Sequence, residues 1–233
     1  MADTTNLVLP LIAASQAQKH VTHNDALLRL DALVELSIID RDLTVAPGSP
    51  AEADRYIVGA SATGAWAGQD GKIAAFLDGV WTFLAPRAGW RAWVEDEGLT
   101  IVHNGTSWLD ALAASPFEAT TAFKILEEEV TVASGAFVDS TIQIPNRGIV
   151  LGVSTRTTQA VAGATSYDCG VSGNTSQFGG TLGVALGSTN AGVIGPSAFF
   201  AATAIRLTAN GSNFTGGKIR VAIHFIEVAV PTS

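Results

Sequence analysis

Between Cys169 and Ile205 the chain carries no charged side chain, yet Gly, Ser, Thr and Asn interrupt the stretch too often for a helix that spans a bilayer. Such a segment can bury its apolar residues only as strands joined by polar turns. The pattern around it agrees. β-Branched or alternating runs recur at 129–133, 137–144, 148–155, 181–186, 204–208 and 218–228. Turn signals separate them, at Pro145-Asn146-Arg147-Gly148, Asn210-Gly211 and Gly216-Gly217. Residues 116–233 are therefore expected to form an antiparallel β-sandwich or jelly roll.

The first half differs in composition. All five tryptophans, Trp66, Trp81, Trp90, Trp93 and Trp108, lie there, and the break near Ser115 and Pro116 divides the chain into 1–115 and 116–233. Residues 15–40 lack Gly and Pro and are rich in Ala, Leu, Gln and Glu, so they predict one long helix with Ser15 at its start. Leu27, Leu30 and Val34 follow near-heptad spacing on one side, and Ala32, Leu36 and Ile39 form a second apolar line. Two apolar sides call for more than one neighbour, so the first is read as an oligomerisation seam of a homotrimer. His20 and His23 extend that seam. Three copies would bring them into a ring, either a weak metal site or polar residues that set register. Further on, Asp70-Gly71, Asp78-Gly79 and Asn104-Gly105 predict tight hairpins, two of them with a tryptophan just after the turn. The fold class is thus mainly β: an oligomerising helix and a small hairpin module, then the C-terminal β domain.

Only 15% of residues are charged against 47% hydrophobic, and the mean hydropathy is positive. Part of that apolar surface is expected to face other subunits, since no run of about 18 apolar residues offers membrane insertion as the alternative. Met1 to Asn6 shows no basic stretch followed by an apolar core, so no secretory signal is expected and synthesis is placed in the bacterial cytoplasm. A net charge of −8 argues against nucleic acid as a partner. The lone Cys169 excludes an internal disulfide framework and a multi-cysteine metal site, and no cofactor is implied.

None of the familiar nucleophile, P-loop, zinc or dinucleotide motifs occurs, which points away from an enzyme. A capsule-degrading glycosidase or lyase is the alternative, because paired carboxylates need no fixed spacing. Asp168 is the one acid between Gly148 and Ile205, while Glu95-Asp96-Glu97 and Glu127-Glu128-Glu129 read as solvated turn or strand-entry residues. A third reading is a purely structural decoration or connector protein.

For binding, residues 155–180 read as a long polar insertion. Its larger polar or aromatic groups, Arg156, Tyr167, Asp168 and Gln177, are the candidate glycan contacts. Trp66, between Gly64 and Gly68, is the candidate exposed stacking ring, and the other tryptophans read as core.

The segment from Leu9-Pro10-Leu11-Ile12-Ala13-Ala14-Ser15-Gln16-Ala17-Gln18-Lys19-His20 through Asn24-Asp25-Ala26-Leu27, with Ser49-Pro50-Ala51-Glu52, Gly64-Ala65-Trp66-Ala67-Gly68 and Ala85-Pro86-Arg87, resembles an uncharacterised family encoded in alphaproteobacterial prophages and gene transfer agents. The likeness covers roughly the first 110 residues, and Asn210 to Lys218 with His224-Phe225 resembles the ending of such proteins. It implies a virion component similar to head spikes or fibres. Such a protein would sit on the particle surface, contact capsid or other virion proteins, and bind host capsular polysaccharide. No catalytic residues carry over. The expected division of labour is particle attachment by 1–115 and host recognition by 116–233.

Overall fold

The computed structural model describes residues 3–12 and 19–232. It is mainly β, with one α-helix near the N-terminus and several antiparallel sheets among the described residues. The chain divides into two compact units, one of residues 1–120 with 231–233 and one of residues 121–230.

The first unit runs α1 (Lys19–Leu33), β1 (Ser37–Ile38), β2 (Arg55–Ile57), β3 (Ile73–Leu77), β4 (Val80–Leu84), β5 (Arg91–Val94), β6 (Leu99–His103), β7 (Trp108–Leu109) and β8 (Ala113–Ala114). The helix expected over 15–40 ends early, and residues 13–18, Ser15 among them, lie outside the described residues. Its last turn closes with the Val34 N–H donating to Leu30 O, and Glu35 at φ 48° turns the chain out of helix. Ser37 and Ile38 then pair in parallel with Trp93 and Val94. β-Branched Ile38 and Ile39 suit a pleated surface better than a helix, and Ile38 becomes fully buried there.

Two small sheets result, one in the order β1-β5-β6-β7 and an antiparallel β2-β3-β4. Asp78 (φ 50°) and Gly79 (φ 75°) make the two-residue turn between β3 and β4, as the Asp-Gly pair requires. The other two pairs do not make hairpins of that kind. Asp70-Gly71 forms a turn that leads into β3, its carboxylate accepting the Ser61 and Ala62 N–H groups. Asn104-Gly105 sits in a longer loop whose Asn104 side chain accepts the N–H groups of Thr106 and Ser107.

The core of this unit is divided among separate clusters. Leu36, Ile38, Ile57, Ile73, Val94 and Ile101 form one; Leu28, Ala32, Ala75 and Leu77 join α1 to β3 in another; Tyr56, Val58, Trp66 and Ala74 form a third. A polar knot supplements them. Asp31, 1% exposed, accepts hydrogen bonds from Thr4 Oγ1 (2.7 Å), Leu7 N (2.6 Å), Asn6 N (2.9 Å) and Asn6 Nδ2 (3.0 Å), fastening residues 4–7 to the helix. Thr232 also belongs here, donating from its N–H to Phe117 O and from Oγ1 to Glu118.

The second unit contains β9 (Thr120–Thr131), β10 (Phe137–Ile144), β11 (Ile149–Ala162), β12 (Ser166–Val171), β13 (Asn174–Leu182), β14 (Thr189–Ala198), β15 (Thr203–Asn210) and β16 (Gly216–Ala229). One sheet has the order β10-β15-β12-β13 and the other runs β14-β11-β16-β9. Inward residues of both sheets meet in a single cluster that includes Ile144, Val150, Val153, Tyr167, Cys169, Phe178, Ile205, Leu207, Phe214, Ile219, Val221, Ile223 and Phe225. Alternation along β11 and β16 leaves the other side of each strand outside.

The expected polar insertion at 155–180 does not exist as a loop, because its residues complete β11 and make β12 and most of β13. Arg156, Gln159 and Ser176 take the solvent side of antiparallel ladders, while Thr155 and Thr157 are buried on the other side, so polarity there does not mark a loop. Likewise Gly216-Gly217 opens β16, the run at 181–186 leaves the strand after Leu182, and β14 appears where no strand was expected.

Candidate functional site

The outer face of the β14-β11-β16-β9 sheet carries a trench made by strand register. Ser154 pairs with Ala191 on one side and Ala222 on the other, so three short side chains lie in a row across three strands. Two residues along, Arg156 pairs with Thr189 and with Arg220; in the opposite direction Gly152 pairs with Val193 and His224. Antiparallel partners point to one face, and rows two residues apart are roughly 7 Å apart. The taller rows therefore wall the short one. The concavity at the arginine wall measures about 440 Å³, and an adjoining, more apolar one at Val193 and His224 measures about 310 Å³.

Gly152 is required by close approach, since a Cβ there would meet Gly192 O at 2.7 Å. His224 Nε2 and Ser154 Oγ are 3.0 Å apart across the floor. Asn190 is tied down by donating from Nδ2 to Phe178 O (2.9 Å). Behind the arginine wall, Arg220 lies 3.7 Å from Glu127 and 3.6 Å from Glu129, while Lys218 Nζ donates to Glu129 at 2.9 Å. That hydrogen bond from Lys218 holds the Glu129 carboxyl below its usual range. Glu127, Glu128 and Glu129, read from sequence as turn or strand-entry groups, thus sit within β9, where Glu127 and Glu129 pair across the sheet and Glu128 accepts the Thr141 and Ile142 N–H groups.

The sequence candidates separate in the structure. Arg156 is exposed and lines the trench. Tyr167 is 1% exposed in the core, where its hydroxyl lies 3.0 Å from Thr155 Oγ1 and burial pushes the phenol up. It is not a surface contact; in the Ser166–Val171 strand, alternation turns it inward. Asp168 is half-buried on the opposite sheet, accepting the Thr181 N–H and Asn210 Nδ2, each at 2.7 Å. Its carboxylate thus ties β12 to β13 and β15. Gln177 is partly buried on β13 and does not line the trench. Arg206 makes a two-bond pair with Asp139 and stacks 3.8 Å over the Phe137 ring, covering that aromatic face.

Trp66 reverses its expectation. It is fully buried, 5.5 Å from the Tyr56 ring and 5.1 Å from that of Trp81. Gly64 (φ 62°) and Gly68 (φ 75°) let the chain fold tightly around the indole, so glycine neighbours seal the ring in. The exposed tryptophan is Trp93, at 47%, next to a groove with Arg91, Thr100 and Glu35. The alternation exposed–buried–exposed–buried over Arg91–Val94 is the signal that identifies it.

On α1, Leu30 and Val34 are exposed at 48% and 39%, Leu27 is partly buried, and Val34 stands just past the helix end. His23 is exposed, whereas the His20 side chain lies outside the described residues. Among the described residues no three His, Cys, Asp or Glu side chains gather, and no helix is long and apolar enough to cross a membrane. Cys169 is buried and its thiol is pushed up to about 12 by desolvation.

Residues 23–109 match a family described as "Protein of unknown function (DUF2793)", a span within the first unit. No curated protein matches the sequence.

Proposed function

We propose that this chain is an adhesive structural subunit of a phage or gene transfer agent particle, a head-spike or fibre protein that binds host surface polysaccharide through its second unit. The observation that carries the reading is the trench of Ser154, Arg156, Ala191, Arg220 and Ala222, an open polar surface built on a rigid sheet. Sugars need planar hydrogen-bonding groups and room for a ring, and the trench offers both. Cleavage would need two carboxyl groups flanking the bond, and of the residues that line the trench Glu127 alone carries one. Binding is therefore favoured over a glycosidase. The resemblance of the first 110 residues to prophage and gene transfer agent proteins supplies the particle.

In this reading the two sheets of the second unit form a β-sandwich of the jelly-roll kind, and the first unit holds the particle. Exposed Leu30 and Val34, with Leu27, form the seam of a homotrimer. Trimerisation matters because weak sugar contacts add by raising the effective concentration of each later one. The protein is made in the cytoplasm and ends on the particle surface.

The test is to purify particles from the producing bacterium on a density gradient, look for the protein by mass spectrometry, and ask whether the purified full chain competes with them for host cells. Co-sedimentation and competition are the expected results. A protein that is absent from particles and leaves adsorption unchanged overturns the reading.

A further inference from the structure

Arg156 and Arg220 are direct antiparallel partners, both exposed on one face of the sheet and both lining the trench. Like charges placed directly opposite across two strands destabilise a sheet. Arg220 is offset by Glu127 and Glu129, but the Arg156 guanidinium has no ion pair or hydrogen bond among the described residues. Folding alone gives no account of a second guanidinium held there. An anion seated between the two side chains does, because each guanidinium presents a planar fork that matches a carboxylate.

Charge bookkeeping narrows the class. Arg156, Lys218 and Arg220 against Glu127 and Glu129 leave this face one positive charge in excess, suited to a singly charged group. The floor of short side chains extends from the arginines to exposed Val193, so a ring bearing the anion has a polar end and an apolar wall. We infer that the trench holds a carboxylate-bearing sugar unit of an acidic polysaccharide, its carboxylate between Arg156 and Arg220. This rests on the adhesive reading above and names its ligand class.

The full-length protein is titrated with polygalacturonate, with neutral dextran and with inorganic phosphate. Because the chain carries a net charge of −8, diffuse attraction of a polyanion is disfavoured, and binding reports a local site. Polygalacturonate is expected to bind and dextran not. Arg156→Ala should weaken binding about tenfold or more, Arg156→Lys should restore part of the loss, and Arg87→Ala in the first unit should change nothing. Arg156 has no partner to leave stranded, so these variants should keep the fold. Equal binding of dextran, or indifference to Arg156→Ala, overturns the carboxylate subsite. Phosphate that competes as well as galacturonate overturns the sugar assignment. Polygalacturonate binding without adsorption to host cells removes the adhesive reading and leaves the subsite standing, while adsorption that survives Arg156→Ala does the reverse.

Discussion

The two units reach a folded state by different means. The first has strands of two to five residues, a core divided into separate clusters, and a buried carboxylate that stitches its N-terminal segment to the helix. The second has strands of six to fourteen residues over one shared core of aliphatic and aromatic side chains. Short elements cannot bury enough apolar area by themselves, so the first unit leans on a few large aromatic rings and on hydrogen bonds to charge. Long ladders spread the same task over many medium-sized side chains. The first unit should accordingly be vulnerable at particular residues, and the second should tolerate single losses better.

Trp66→Ala gives the sharpest test, with an expected cost of about 4 kcal/mol, because the ring is fully buried among Tyr56 and Trp81 and its small cluster has little to refill the space. Leu207→Ala, fully buried in the second unit, should cost about 3 kcal/mol, since a larger cluster can relax around the loss. Hydrogen exchange on β3 and on β15 would measure the two, and a larger loss at Leu207 would break the contrast.

Asp31→Ala should come next, at about 2 kcal/mol, by leaving the Asn6 and Leu7 N–H groups without their acceptor. Burial raises this carboxyl, but the hydrogen bonds from Asn6, Thr4 and Leu7 outweigh it and hold the group below its usual value. A depressed folded value contributes stability above the unfolded pKa, and that stability is lost as pH falls through the folded one. Residues 4–7 should therefore lose exchange protection in acid, below about pH 4, and Asp31→Asn should abolish that dependence.

Tyr167→Phe is a smaller change, about 1 kcal/mol, because it keeps the packing and removes only the partner of Thr155 Oγ1. Denaturant titration would show it, and a loss near 3 kcal/mol would mean that the buried hydroxyl pair matters as much as a large core side chain. Smallest for the fold is Leu30→Asp. At 48% exposure it should alter the stability of one chain by no more than about 0.5 kcal/mol. Under the proposed trimer it should nevertheless shift light scattering from trimer to monomer, and an unchanged assembly would remove Leu30 from the seam.

What could be read from the chain follows from these physical differences. Strand character in the second half was legible because β-branched runs and Gly-rich turns repeat along it, and the Asp78-Gly79 turn was legible because its geometry demands that pair. The end of α1 was not, since Ile38 and Ile39 continue a helical spacing while pairing with β5 decides their conformation. Of the binding candidates, Arg156 lies in the trench, whereas Tyr167 and Trp66 were misjudged for one reason: polarity or glycine nearby says nothing about which face of an element a side chain takes. Ser154 shares a strand face with Arg156 by simple alternation, but Arg220 and Ala222 could not have been grouped with them, because the register that aligns β11 with β16 joins residues some 64 positions apart.

The lone thiol of Cys169 has a consequence of its own. Fully buried, with its ionisation pushed up to about 12, it is almost entirely protonated at neutral pH and unreachable by an alkylating reagent. With one cysteine in the chain, every labelling event must come from this atom, after the surrounding strands have parted. The native molecule thus carries a stopwatch for the opening of its second unit. Rates of thiol modification on intact, unaltered protein would time that opening directly, and any ligand that grips the sheet should slow the clock.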